Sequence, residues 1–282
     1  MLTLEGVKPP RDRGGAERMI GFSKPYLIGL GYSLALFGFG WATRKGRAAI
    51  VDFCSRTGYR HDRREIPTIP SVSADSLVGD GKEISLSALD NVDGNVTDRE
   101  LIVLNNLVRG LHTRSIFELG TFDGRTTRNL AANCAPGGRV WTLDLPRDAM
   151  QSLTARIQTH EEKYVDKARS GVRYIGTPEE SRIEQLYGDS GTYDFSRFKG
   201  VMDFVFVDAS HAYRYVVNDS LVALNMLREE GGTIAWHDYG RWDGVTRAVN
   251  DLQSRHPDFQ DVVQVEGTTL ALLQIGSART TG

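Results

Sequence analysis

The sequence predicts an α/β fold: a doubly wound, Rossmann-like sheet, mostly parallel, ending in an antiparallel hairpin and preceded by a basic, hydrophobic extension. Three observations predict it. From residue 115 onward, short apolar runs alternate with stretches of helical spacing, the pattern that builds parallel sheets. The last two runs are separated only by Glu266, Gly267, Thr268 and Thr269, too short a link for a parallel crossover. The chain of 282 residues, 40% hydrophobic and 25% charged, is ordinary for one such domain with an extension.

The extension comes first. Residues 1–64 hold twelve Lys or Arg against five acids, a net +7, so the remainder carries −9 of the overall −2. Within it, residues 25–43 form an uncharged run bounded by Lys24 and Arg44. A helix of that length reaches about 28 Å, near the ~30 Å of a bilayer's hydrocarbon layer. Tyr26 and Trp41 stand near its ends, where interfacial aromatics belong. Gly29, Gly31, Gly38 and Gly40 weaken it as an isolated helix. Three readings stay open: a membrane anchor on the cytoplasmic face, a buried helix, or a contact between copies in a homo-oligomer. No cleavable secretory leader is expected. Two cysteines, Cys54 and Cys134, fit a reducing, cytoplasmic setting and cannot build a thiolate metal site.

Residues 65–96, rich in Pro, Ser, Asp and Gly, predict a linker or a lid laid over the domain surface. Thr97 with Glu100 forms a capping box ahead of Leu101, Leu104, Leu107, Val108 and Leu111, so a helix begins there. Strands are expected over 115–119, 139–144, 183–187, 202–208, 232–237, 261–265 and 270–275. Helices are expected over 125–134, 149–160, 213–229 and 245–255. The domain therefore spans 97–276, with 277–282 as a tail.

Ligands of an open α/β sheet sit beyond the carboxyl ends of the strands. The first strand ends in Glu118, followed by Gly120, Asp123 and Gly124. This is not the Gly-x-Gly-x-x-Gly spacing of a dinucleotide site, and two acids oppose a pyrophosphate. They suit a ligand with a cationic amine and ribose hydroxyls. Asp144, ending the next strand, is placed to accept from a ribose diol. Asp208, His211, His237 and Asp238 gather at the ends of the fourth and fifth strands. Two carboxylates and two imidazoles there suggest a divalent cation or a general base. His211 is the preferred base, because an unperturbed imidazole titrates near neutrality. Asp219 is read as an exposed acid, and His160, Trp242 and His256 as surface or packing residues.

The segment from Phe117 to Thr127, FELGTFDGRTT, resembles motif I of class I S-adenosylmethionine-dependent methyltransferases. Thr142 to Pro146 resembles the ribose-binding strand that follows. Leu186 to Ser190 resembles the adenine-side segment, and 205–213 and 232–239 resemble the fourth and fifth strand ends. The combination is similar to macrocin-type O-methyltransferases and cephalosporin hydroxylase-like proteins, over about residues 100–276. The resemblance implies that Glu118, Gly120 and Asp123 bind the methionine end of S-adenosyl-L-methionine, Asp144 the ribose, and Asp189 and Ser190 the adenine side. It implies His211 and Asp208 as catalytic residues, with Asp208 and Asp238 as ligands for Mg²⁺ or Ca²⁺. The expected activity is O-methylation of a small-molecule hydroxyl on a sugar, polyketide or phenolic. The alternative is a non-methylating cofactor- or metal-binding protein of the same fold. No basic, aromatic-interleaved stripe accompanies the domain, so nucleic acid is not the expected partner.

Overall fold

The computed structural model describes residues 24–43, 45–47, 49–50, 53, 65–78, 83–151, 153 and 161–276. The chain divides into two compact units, Met1–Tyr59 and Arg60–Gly282.

In the first unit, helix α1 (Lys24–Phe39) runs into a 3₁₀ turn, Gly40–Ala42. It is about 24 Å long. Leu27, Ile28, Leu30, Tyr32, Leu34, Phe37 and Phe39 are all exposed. No helix among the described residues is long and apolar enough to cross a membrane. Most of the basic residues expected to flank it lie outside the described residues.

The second unit is built on one eight-stranded sheet. Strands β2 (Ser115–Leu119), β3 (Arg139–Asp144) and β4 (Ile183–Tyr187) have the bounds their apolar runs predict. β5 (Phe204–Val207) and β6 (Gly231–Trp236) complete the parallel set. β7 (Val263–Val265) and β8 (Ala271–Gly276) form the terminal antiparallel hairpin. A short strand absent from the sequence expectation, β1 (Ser71–Val72), pairs in parallel with β7. The spatial order is β1-β7-β8-β6-β5-β2-β3-β4. β8 inserts between β6 and β7, so both of its pairings are antiparallel. The order reverses between β2 and β5, and a crevice is expected at the carboxyl ends of that pair.

Alternation along the strands serves two apolar layers. Phe117, Val205, Val207, Ile234 and Leu273 pack with α6 (Tyr213–Met226) and α7 (Asp243–Arg255). Ile116, Phe204, Phe206, Ala235 and Leu272 pack with α3 (Asp98–Gly110) and α4 (Arg125–Asn133). The capping box of α3 is formed as expected, with Thr97 and Glu100 bonded reciprocally. The helix expected over 149–160 begins as a 3₁₀ turn, Arg147–Gln151, and its remainder lies almost wholly outside the described residues; the one-turn helix α5 (Glu162–Val165) comes next in the chain.

Residues 65–96 are more integrated than a free linker. Ile69, Ala74 and Leu77 are buried, the last two in the short helix α2 (Ala74–Val78). Side chains one turn apart on α4 then strap down the extended stretch that follows. Asn133 exchanges two hydrogen bonds with the Ser85 backbone, and Asn129 does the same with Ser87. Buried Arg125 donates to Ala88 O and Val96 O, both at 2.7 Å. Asparagine amides here supply the pairing that a neighbouring strand would. The strap brings Gly94 and Asn95 to the strand tips.

Candidate active site

Two adjoining cavities open at the carboxyl ends of β2 to β6. The first is lined by Gly120, Phe122, Asp144, Glu161, Tyr164, Lys167, Asp189, Ser190, Asp208, His211 and neighbours. The second is lined by Gly94, Asn95, Phe122, Tyr164, Asp208, Ala209, His211, His237, Asp238, Arg241 and Trp242. Phe122, Tyr164, Asp208, Ala209 and His211 belong to both, so the cavities share a wall.

Gly120 is required by the sheet itself. Its φ is +97°, and a Cβ there would lie 2.0 Å from the carbonyl oxygen of Asp208. The close approach is between the tips of β2 and β5, which no side chain permits. Asp144 lines the first cavity from the tip of β3, and its Oδ1 accepts from Leu145 N at 3.1 Å. Lys167 Nζ stands 2.9 Å from its Oδ2. Asp189 and Ser190 line the same cavity beyond β4.

Glu118 and Asp123 do not line either cavity. Glu118 faces the α3–α4 side of the sheet and is 1% exposed. Thr127 and Thr142 donate to its carboxyl, the latter at 2.6 Å. Burial pushes that carboxyl up to about 8, against those two hydrogen bonds. Asp123 ion-pairs with Arg173 at 2.6 Å and accepts from Arg125 N and Asn95 Nδ2. It ties the turn after β2 to the strap and to the 161–174 segment. An acid after a strand reads the same in sequence whether it faces a crevice or a neighbouring helix.

At the ends of β5 and β6 the four expected residues do meet, and two further carboxylates join them. His211 Nε2 lies 2.9 Å from Asp238 Oδ2, and its Nδ1 lies 3.1 Å from Glu161 Oε1. Its ring stacks on Trp242, with centroids 5.0 Å apart and planes 16° from parallel. Glu161 also takes the backbone N–H of His211. Burial opposes charge on His211, but Asp238 and Glu161 outweigh it and push the imidazole up to about 9. His237 Nδ1 lies 3.1 Å from Asp208 Oδ1 and 3.3 Å from Asp238 Oδ2; its Nε2 lies 3.2 Å from Glu100 Oε2. Burial opposes its charge too, and the Asp238 and Asp208 carboxylates raise it well above the usual histidine range. Asp238 is held well below the carboxylate range; burial works against this, and the charge of His237 and the His211 hydrogen bond prevail. Its φ of +66° is uncommon outside glycine, though aspartate adopts it more readily than most residues. Gly244 lets the start of α7 approach this edge: a Cβ there would lie 2.1 Å from His211 O.

Sequence reasoning missed Glu161, Tyr164 and Lys167, which come from a stretch without motif. It noticed Glu100 only as a cap. Glu100 also accepts from Thr269 N at 2.7 Å while its other oxygen faces His237, so one carboxylate joins α3, the terminal hairpin and the strand tips. Trp242, read as a surface or packing residue, stacks on His211. Asp219, read as exposed, is 1% exposed. Burial pushes it up to about 7 against hydrogen bonds from Asn218 and Ser190. His256 is half-buried and packs edge-on against Phe259, and His160 lies outside the described residues.

Residues 117–239 match the family model described as a methyltransferase domain. The matched stretch, 123 of the 282 residues, is similar to a methyltransferase domain. It contains the tips of β2 to β6 and all the expected site residues. Similar solved structures include an O-methyltransferase from Bacillus cereus in complex with SAH, 22% identical, covering 66% of this chain and 84% of that one with a TM-score of 0.47. The O-methyltransferase TomG from Streptomyces achromogenes, in complex with SAM, is 20% identical over 66% and 84% with a TM-score of 0.44. A methyltransferase from Geobacter sulfurreducens is 19% identical over 65% and 81% with a TM-score of 0.46. No curated protein matches the chain significantly.

Within the matched stretch, three groups have the geometry to hold a metal. Asp208, His237 and Asp238 each offer a ligand atom, and these atoms lie within 4.8 Å of one another. The far nitrogen of His237 faces the Glu100 carboxylate, the partner that metal-ligating imidazoles commonly have. The donor set fits a divalent cation.

Proposed function

We propose that the protein transfers the methyl group of S-adenosylmethionine to a hydroxyl of a small molecule. The carrying observation is the pair of cavities with a common wall. The first, reaching from Gly120 past Asp144 to Asp189 and Ser190, suits the donor. The second, edged by Asn95, Arg241 and Trp242, suits the acceptor. Methyl transfer needs the acceptor oxygen in line with the sulfonium methyl, so alignment across that wall is the main catalytic contribution.

In this reading Asp144 accepts from the ribose hydroxyls, and Asp189 and Ser190 flank the adenine. Glu118 and Asp123 serve the donor indirectly, by fixing the backbone that carries Gly120. The methyl carbon leaves sulfur for oxygen, the sulfonium becomes a thioether, and the hydroxyl proton leaves to the enzyme. His211 takes that proton only in its neutral form, so with its imidazole pushed up to about 9 the rate should rise with pH toward that value. Asp238 and Glu161 beside it compensate the charge, and Asp208 acts through its contact with His237. Isothermal titration with S-adenosylhomocysteine tests the donor half. Micromolar binding is expected, with a loss of about tenfold or more in Asp144→Ala, whose charged acceptor contributes ~1.5–3 kcal/mol per hydrogen bond. Absence of binding to the unaltered protein would refute it.

Asp208, His237 and Asp238 are proposed to hold a divalent cation, which would lower the pKa of a coordinated acceptor hydroxyl. An imidazole among the ligands favours a first-row transition ion such as Mn²⁺ over Mg²⁺ or Ca²⁺. Titration with Mn²⁺ should show one saturable site that Asp208→Asn abolishes and Mg²⁺ competes for weakly. Equal Mn²⁺ binding by that variant would remove the assignment.

The first unit is proposed to dock on an anionic lipid bilayer. A helix apolar on every side, with seven large hydrophobic side chains exposed, has no aqueous face to keep, and the net +7 of residues 1–64 complements anionic headgroups. The full-length protein should co-sediment with phosphatidylglycerol-containing vesicles more than with phosphatidylcholine alone, and Leu34→Glu should reduce this. Equal recovery in the supernatant with both vesicles would end the idea.

A further inference from the structure

The donor cavity contains a cation that the reaction as described does not use. Lys167 lines it with its Nζ 2.9 Å from Asp144 Oδ2 and donating to Tyr164 O at 2.7 Å. The side chains are 16% and 10% exposed, so this is a largely buried pair. The segment that carries Lys167 is fastened at its other end too, because Glu161 takes the Ser210 hydroxyl and the His211 N–H. It thus reaches from the tip of β3 to the loop after β5.

Resting on the donor reading above, we propose that Lys167 is a donor-binding residue that reads the ribose diol together with Asp144. A diol presents two O–H donors and two acceptor oxygens. A carboxylate satisfies only the donors. An ammonium has three N–H donors; Tyr164 O takes one, and Asp144 Oδ2 at 2.9 Å is an ion-pair contact without hydrogen-bond alignment. A further N–H can complement a ribose oxygen without breaking either contact. Tyr164 O steadies the Nζ, so little side-chain freedom remains to be lost on binding. The pair also keeps Asp144 from being a lone buried carboxylate near Glu118, a costly arrangement. Lys167 lies 23 residues beyond Asp144 in the chain, in a segment with no motif, and only the fold joins them.

The competing view is that Lys167 occupies the ribose position and must be displaced. Binding of S-adenosylhomocysteine and of its 2′-deoxy and 3′-deoxy analogues to the unaltered protein and to Lys167→Met distinguishes them. The expected result is a loss of about ten- to a hundredfold for S-adenosylhomocysteine in the variant, the range of one charge-assisted hydrogen bond. One deoxy analogue should bind the unaltered protein weakly by a similar factor and suffer no further loss in the variant. Tighter binding by Lys167→Met would overturn the proposal in favour of displacement. Equal loss for all three ligands would overturn it in favour of a structural role. Lys167→Gln, which retains a donor, should recover part of the affinity, and it replaces the methionine variant if that one fails to fold. If the unaltered protein binds none of the ligands, the donor reading itself falls; if it binds them without the predicted non-additivity, only the role of Lys167 falls.

Discussion

His211→Ala is expected to lower kcat by about 10²- to 10⁴-fold, the usual contribution of a positioned proton acceptor, while donor affinity changes by less than tenfold. His211 stands in the wall between the two cavities, and the transferring methyl has to pass that wall. Its ring is fixed on three sides, by Glu161, by Asp238 and by the face of Trp242. Removing it has a second consequence. Glu161 and Asp238 lose a shared cationic partner, which destabilises two buried carboxylates even though Asp238 keeps His237 at 3.3 Å and Glu161 keeps the Ser210 hydroxyl. The variant should therefore melt earlier as well, so rates must be normalised to folded protein. His211→Gln separates the effects: an amide bridges part of the gap between the carboxylates but accepts no proton, so stability should recover more than kcat. A kcat within about threefold of the unaltered enzyme in His211→Ala would exclude His211 from proton transfer.

The second large effect concerns stability and pH. The Glu118 carboxyl, ordinarily near 4.5, is pushed up to about 8 by burial. Below pH 4.5 the folded and unfolded chains both carry this proton, and the group contributes fully. Between 4.5 and 8 the unfolded chain releases the proton while the folded chain keeps it. Folding then binds more protons than unfolding, so stability falls as pH rises through this window and levels off above it. At ~1.4 kcal/mol per pKa unit, the contribution amounts to a few kcal/mol. Glu118→Gln keeps an acceptor for Thr127 and Thr142 but has no proton to release. Its stability curve should be flatter than that of the unaltered protein between pH 4.5 and 8, with the two converging at the acid end. Asp219→Asn should flatten the curve in the same sense over roughly pH 4–7, since burial lifts Asp219 to about 7. Other buried groups also titrate, so the difference between curves is the informative quantity. Parallel curves for the unaltered protein and Glu118→Gln would show that Glu118 is ionised in the folded state.

Part of this was readable because its causes are local. The run from Arg139 to Asp144 is a strand because Val140, Trp141 and Leu143 form a short apolar run around the β-branched Thr142, and its bounds matched to the residue. Thr97 and Glu100 cap a helix through contacts three residues apart. The acids at strand tips are readable for the same reason: a parallel strand between helices has an end, and its last side chain is at the crevice or next to it. Which of those two holds is not local. Asp144 reaches the cavity, whereas Glu118, at the end of the neighbouring strand, turns to Thr127 and Thr142 on the helical side.

The sequence by itself determined the strand–helix alternation, the helix caps, the methyltransferase motif and the cluster of acids and imidazoles after β5 and β6. Those depend on spacing of two to four residues, which backbone geometry converts directly into faces and ends. Only the tertiary structure decided that Glu161 clamps His211, that Glu100 reaches His237 across 137 residues, and that Lys167 meets Asp144 inside the cavity. Only it decided that β8 lies between β6 and β7, with two residues near the start of the domain adding a further strand. Each of these is a pairing between segments distant in the chain. No periodicity encodes such a pairing; it follows from which surfaces remain to be buried once the local elements have formed.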